Sequence, residues 1–194
     1  MSEESPWFGA VVLSGGTGAR LGGADKAALV LDGTTLLEHA LAATVEARET
    51  VVVGVEVPTS RPVSWTREDP PGGGPAAGIL AGLDRFTEPP GLVCVLAVDM
   101  PRVTSRTVAR LVDAAGRGGE AAGAVLVDDA GVRQTLAGVY RRTAVLDARP
   151  AARSAESGLS VRRLLSGLTL LEVPAVADEA RDVDTWQDLR ALAE

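Results

Sequence analysis

Residues 11–26 read VVLSGGTGARLGGADK: an apolar run that breaks into glycines at Gly15, Gly16 and Gly18 and ends on Lys26. The run extends back to Phe8 and reads as a buried strand. Glycines placed directly after such a strand let the backbone reach positive φ and bring its N–H groups close to a ligand. Lys26 is the only lysine among the 19 basic residues. Arginine has replaced lysine everywhere else, as a GC-rich coding bias would do, and the one exception therefore stands out.

Working outward, short runs rich in Val and Leu recur at 8–13, 50–55, 63–66, 92–98, 122–127, 135–140 and 169–173. Helical patterns fall at 35–47, 75–85, 105–115, 142–152, 160–165 and 185–193. Apolar strands alternating with helices predict a doubly wound, three-layer α/β fold whose mostly parallel sheet is covered on both faces. The stretch DDAGVRQ between 127 and 135 is turn-like, so one strand there is expected to run antiparallel. Thr104 or Ser105, Ser160, and Asp184 or Thr185 are N-cap types at helix starts. No repeat, long linker or low-complexity tail interrupts 194 residues, and a single domain over 1–194 is expected.

Composition narrows the class. An apolar fraction of 46% fits a globular chain. A net charge of −7 argues against a nucleic-acid partner but leaves room for a small anion in a local cluster of donors. Cys94 cannot form an internal disulfide and reads as a buried strand residue, while the lone His39 excludes a His-rich metal cage and reads as a structural helix residue. No apolar run reaches the ~18 residues of a membrane span, and the start MSEES lacks the features of a signal peptide. A cytoplasmic location without membrane contact is expected.

In open α/β sheets, ligands bind beyond the carboxyl ends of the strands, which directs attention to 14–26, 68–78, 99–103 and 181–185. The first loop is neither a dinucleotide fingerprint, since Leu21 stands where glycine is required, nor a P-loop, since Lys26 lies between Asp25 and Ala27. Arg20 and Lys26 on a glycine loop nonetheless make a receptor for several phosphates, one cation a fork and the other a point charge. Asp99 ends the strand VCVLAVD, a poor place for packing and a good one for a hard cation such as Mg²⁺, which takes one or two carboxylates together with phosphates and water. Asp182 and Asp184, in RDVDTWQDL, either complete such a site or, for Asp184, cap the last helix. EDPPGGGPAAGILAGL, from Glu68 to Leu83, joins an acidic pair and a glycine run to a helix start with Pro75 at its first position.

These residues carry a resemblance. LSGGTGARLGGADK is similar to the signature L-[A/S]-G-G-x-x-x-R-[M/L]-G-x-x-K of the MobA-like nucleotidyltransferases, and within them resembles the molybdenum cofactor guanylyltransferases most. The resemblance covers about residues 9 to 193 and thins after 120. It implies a Rossmann-like fold of the nucleotide-diphospho-sugar transferase type and transfer of GMP from GTP to molybdopterin with release of pyrophosphate. By the same resemblance Arg20, Lys26 and Asp99 are the catalytic set, Asp99 with Asp184 holds Mg²⁺, and Leu13, Ser14, Gly15, Gly16, Lys26, Asp69, Gly74, Pro75, Gly78 and Asp99 bind the nucleotide. The pair Leu13-Ser14 before the glycines and the G-P-x-A-G segment favour guanine over cytosine. Trp186 replaces the family's proline, and Gly54 stands where relatives have asparagine, so a side-chain hydrogen bond near the nucleotide is absent. Seven arginines between Arg133 and Arg163 either face an anionic pterin phosphate or form a solvated helix face. A related transferase using CTP or a sugar phosphate, and a nucleotide-binding paralogue without turnover, are the alternatives.

Overall fold

All six residues of the apolar run 8–13 are buried. The computed structural model describes residues 7–15 and 25–193. In chain order the elements are β1 (Phe8–Leu13), the hairpin β2 (Val30–Leu31) and β3 (Thr34–Thr35), α1 (Leu36–Ala43), β4 (Thr50–Val53), β5 (Ser64–Thr66), α2 (Pro75–Arg85), β6 (Leu92–Ala97), α3 (Ser105–Arg117), β7 (Gly123–Val127), β8 (Arg133–Arg141), α4 (Arg142–Asp147), α5 (Val161–Leu164), β9 (Leu170–Pro174) and α6 (Trp186–Leu192). Among the described residues, three short 3₁₀ turns lie at Lys26–Ala28, Arg153–Ala155 and Ala177–Ala180.

The main sheet runs β5-β4-β1-β6-β8-β7-β9. Strand β8 is antiparallel to both β6 and β7, and the other pairings are parallel, as the turn-like 128–134 segment predicts. Successive residues of each strand serve opposite faces. Ala10, Val12, Cys94 and Leu96 pack with Leu36, Leu41, Leu111 and Leu192, which come from α1, α3 and α6. Val11, Leu13, Val93 and Val95 pack with Ile79, Leu80, Val145 and Leu164, from α2, α4 and α5. That split is the doubly wound architecture. Cys94 is buried, and burial pushes its thiol up to about 12. Among the described residues no helix is long and apolar enough to cross a membrane.

Two helices are shorter than their patterns predict. The expected helix 35–47 ends at Ala43 because side chains take its last carbonyls. The Arg61 guanidinium donates to Leu41 O and Thr44 O, each at 3.1 Å, and the Thr44 hydroxyl donates to Ala40 O at 2.9 Å. The expected helix 142–152 stops at Asp147; Pro150 disfavours helical backbone at Arg149. The small hairpin β2–β3 lies outside the predicted strands. Its turn, Asp32-Gly33, has φ of 51° and 79°, the two positive values that a primed two-residue turn demands.

Helix α2 lies unusually close to β1. A Cβ at Gly82 would approach the Val11 side chain at 2.6, 2.9 and 3.3 Å. Gly82→Ala is therefore expected to lower stability by about 1–3 kcal/mol through overpacking, although alanine is the better helix former. Urea unfolding checks this; a gain in stability would mean that α2 can move off β1 at no cost.

Topology places the crevice. From β1 the sheet grows outward through β4 to β5, and then from the other side of β1 through β6. The carboxyl ends of β1 and β6 therefore lie side by side where the sheet changes its direction of growth, and open α/β sheets bind ligands beyond such ends. Leu13 and Ala97 are paired there, and the next residues are Ser14-Gly15 and Val98-Asp99.

Candidate functional site

Lys26, Asp99 and Asp184 meet at this crevice, from three distant parts of the chain. Asp25 caps the 3₁₀ turn Lys26–Ala28 by accepting from the Ala27 amide at 3.0 Å, which fixes where the lysine leaves the backbone. The Lys26 ammonium then donates to Asp184 Oδ1 at 2.7 Å and to Asp99 Oδ2 at 3.2 Å. The lysine side chain is 14% exposed and those of Asp99 and Asp184 are 26% and 40%.

The segment 182–184 is locked to the end of β6. The Val183 amide donates to Asp99 O at 2.8 Å, and the Val183 side chain is fully buried. Anchoring the middle residue of Asp-Val-Asp leaves the two carboxylates outside the core. Asp184 does not cap α6. Thr185 accepts from the Asp188 amide at 3.2 Å, while Asp188 accepts from the Asp184 and Thr185 amides at 3.2 and 2.7 Å, a reciprocal capping box. Of the two readings of Asp184, the cap falls to its neighbour and the Asp184 carboxylate pairs with Lys26.

Charge in the cluster is unbalanced. Burial alone would lower the Lys26 pKa, but the hydrogen bond to Asp184 and the charge of Asp99 outweigh it and hold the ammonium above its ordinary value. Asp99 is nevertheless raised, first by burial, with Asp182 and Asp184 adding to it and Lys26 only partly offsetting it. The two partners thus shift in ways that a simple ion pair would not give. Among the described residues, one ammonium bridges two carboxylates, and Asp182 adds a third negative charge that acts on Asp99. Among the described residues, no group of three or more His, Cys, Asp or Glu side chains is arranged to hold a metal ion. A divalent cation that keeps its waters and takes phosphate oxygens needs only one or two carboxylates. Asp99 and Asp184, already sharing one cation, fit that requirement by their chemistry.

The described members of the rest of the expected set lie in the loops after β1 and β5 and at the start of α2. Gly16 and Arg20 lie outside the described residues. Leu13 and Ser14 are buried and Gly15 is exposed. The Ser14 amide and hydroxyl both donate to Val53 O, at 3.0 and 3.1 Å, which commits both donors to the fold. A Cβ at Gly54 would fall 2.0 Å from Ser14 Oγ. Gly54 is thus matched to a serine whose hydroxyl fills the space, a pairing between residues 40 apart that one sequence does not reveal. Gly78 is buried, and a Cβ there would meet Leu13 at 3.2 Å, so its lack of a side chain serves packing of α2 on β1. Asp69 is exposed in the loop after β5, Gly74 has φ of 90°, and Pro75 opens α2. These three lie towards the β5 edge and are not part of the Lys26 cluster.

Several of the seven arginines are structural. Arg141 donates to Ala121 O and Gly119 O, Arg133 pairs with Glu172, and Arg149 binds two carboxylates. His39 bonds Leu31 O at 3.0 Å within the α1 packing.

Residues 10–173 match the family described as MobA-like NTP transferase domain. Among curated proteins, a molybdenum cofactor guanylyltransferase of Acidiphilium cryptum (strain JF-5) is 38% identical over 112 residues, which are 53% of this chain and 55% of that protein. The chain thus spans about half the length of that relative. A molybdenum cofactor guanylyltransferase of Burkholderia lata is 31% identical over 97% of each chain. Among solved structures, molybdopterin-guanine dinucleotide biosynthesis protein A from Archaeoglobus fulgidus superposes with a TM-score of 0.73 at 22% identity, covering 95% of this chain and 96% of that one, which is a likeness of fold.

Proposed function

The chain belongs to the MobA-like NTP transferase family, and from that premise we propose that it transfers GMP from GTP to molybdopterin, releasing pyrophosphate and forming a guanine dinucleotide cofactor. The observation that carries the reading is the Lys26–Asp99–Asp184 cluster at the mouth of the crevice between β1 and β6.

In the transfer, an oxygen of the molybdopterin phosphate forms a bond to the α-phosphorus of GTP, and the bond from that phosphorus to the bridging oxygen of the β-phosphate breaks. No side-chain nucleophile is needed, because the acceptor brings its own oxygen. The protein's work is positioning and charge. Asp99 and Asp184 would hold Mg²⁺, which when bound supplies positive charge to the triphosphate. Lys26, released from the carboxylates it neutralises, would contact the phosphates as a compact point charge. Arg20 would face the departing pyrophosphate. Gly15 and Gly16 would offer backbone to the phosphates, while Asp69, Gly74 and Pro75 would flank the base and ribose, with Gly78 setting how closely α2 approaches Leu13.

Pyrophosphate release measured with GTP or CTP, with and without molybdopterin, tests the reading, alongside thermal unfolding with each nucleotide and Mg²⁺. GTP is expected to raise the melting temperature more than CTP, and pyrophosphate is expected only when GTP and molybdopterin are both present. An equal response to CTP would overturn the guanine assignment; nucleotide binding with no pyrophosphate from any acceptor would leave a binding protein instead of an enzyme.

A further inference from the structure

The glycine run that opens α2 is held from outside by a remote segment. Gly72 and Gly74 have φ of 80° and 90°, and a Cβ at Gly73 would meet Ala77 at 3.0 Å. The loop thus depends on glycine for its shape, and its one internal side-chain tie among the described residues is the Gly72 amide donating to Glu68 Oε1 at 3.1 Å, which leaves Gly73 and Gly74 unheld from within. Its middle carbonyl, Gly73 O, accepts from the Gly158 amide at 2.8 Å. Gly158 sits in a turn closed by Leu159 N–H donating to Glu156 O at 3.1 Å, with φ of 77°.

That turn is itself anchored at the far end of α2. Arg149 donates a two-pronged pair to Asp84, Nη1 to Oδ1 at 2.9 Å and Nη2 to Oδ2 at 2.7 Å, and its Nε donates to Glu156 Oε1 at 2.7 Å. Arg153 adds a bond to Asp84 Oδ2 at 2.9 Å. Glu156 is buried at 8% exposure, and the Arg149 side chain is 16% exposed. Fork-shaped Arg–carboxylate pairing fixes orientation as well as distance, and the Arg149 hydrogen bond holds the Asp84 carboxyl below its ordinary range. Asp84 lies in the last turn of α2 and Gly73 just before its first. The chain from 149 to 158 therefore spans the helix, about 16 Å for 11 residues.

We propose that residues 149–158 are a strap along α2, and that Arg149 is a positioning residue holding the 72–74 glycine loop in the shape that receives the nucleoside of GTP. The nucleoside part rests on the reading under Proposed function; the strap itself does not. Without the clamp the turn at 156–159 loses its anchor, Gly73 O loses a fixed donor, and the glycine run is left with only the Glu68–Gly72 bond to hold it.

The test compares wild type with Arg149→Ala and Arg149→Lys, well below their melting temperatures. Amide exchange in 70–78 without nucleotide is expected to rise at least about ten-fold in both variants, as local opening is no longer opposed, with β1 and β6 unchanged. The dissociation constant for GTP with Mg²⁺ is expected to rise on the order of ten- to a hundred-fold, the sensitivity expected of groups that must be held to about an ångström. Lysine keeps the charge and loses the fork, so it is expected to recover melting temperature without recovering affinity. Glu156→Gln, which keeps the size of the residue and weakens its bond to Arg149, replaces the alanine variant if that one does not fold. Unchanged loop exchange, or unchanged GTP affinity in a folded variant, would overturn the proposal. If wild type itself fails to bind GTP, the guanylyltransferase reading falls with the nucleoside part, and loop exchange still decides the strap.

Discussion

Asp99→Asn is expected to lower pyrophosphate release by a factor of about 10²–10³, the loss typical of removing one preorganised charge partner at a transition state. The substitution keeps the shape of the side chain and an oxygen acceptor for Lys26. It removes the charge that the end of β6 presents to the crevice. Because burial and two neighbouring aspartates already disfavour the ionised form of Asp99, asparagine is expected to leave the melting temperature within a few degrees of wild type (about 2–4 °C per kcal/mol for a chain of this size). Steady-state kinetics and thermal unfolding together check it. Full activity in the variant would remove Asp99 from the machinery, and unfolding would make it a structural residue.

Lys26→Met is expected to act twice. With GTP and molybdopterin, loss of the ammonium should cost a similar factor, about 10²–10³. In the free protein, methionine occupies the same path but leaves Asp99 and Asp184 facing each other without their shared cation. Breaking a fully buried pair costs about 3–5 kcal/mol. Here Asp184 is 40% exposed, so about 1–2 kcal/mol is expected after solvent screening. Mg²⁺ alone should then restore more melting temperature to the variant than it adds to wild type, because lysine no longer competes for the two carboxylates. Unfolding curves with and without Mg²⁺ measure this. A variant indifferent to Mg²⁺ would show that the two aspartates do not form a cation site.

The order of elements was legible because it is written in local pattern. Strand β1 and helix α2 have the predicted ends, and the other main strands begin and end within two residues of expectation, since apolar runs buried on both faces leave little choice of register. Helix ends were less legible. Arg61, which takes the last carbonyls of α1, comes from a later loop, so nothing inside 35–47 announces the stop. The hairpin at Asp32-Gly33 carries its signal in the turn, a dipeptide suited to two positive φ values, but its two-residue strands are too short to show any periodicity.

The site divides in the same way. A single lysine beyond a glycine loop and an aspartate ending a strand are visible as departures from the composition and position expected of each residue. Their partnership with Asp184 is not visible, because it spans 158 residues and depended on which of two adjacent polar residues capped α6. Thr185 and Asp188 form the cap, and Asp184 accepts from the lysine. The match of Ser14 to Gly54 and the grip of Arg149 on Asp84, 65 residues away, are likewise products of the sheet order. In sequence Arg149 was one of seven interchangeable arginines.

The most direct measurement is a crystal structure with a non-hydrolysable GTP analogue and Mn²⁺ in place of Mg²⁺, located by anomalous scattering. The expected map has the metal bound to Asp99 and Asp184 at a little over 2 Å, near the 2.0–2.1 Å typical of Mg²⁺, with the Lys26 ammonium moved from those carboxylates to a phosphate oxygen. A nucleotide bound with Lys26 still bridging Asp99 and Asp184, and the metal elsewhere, would contradict it.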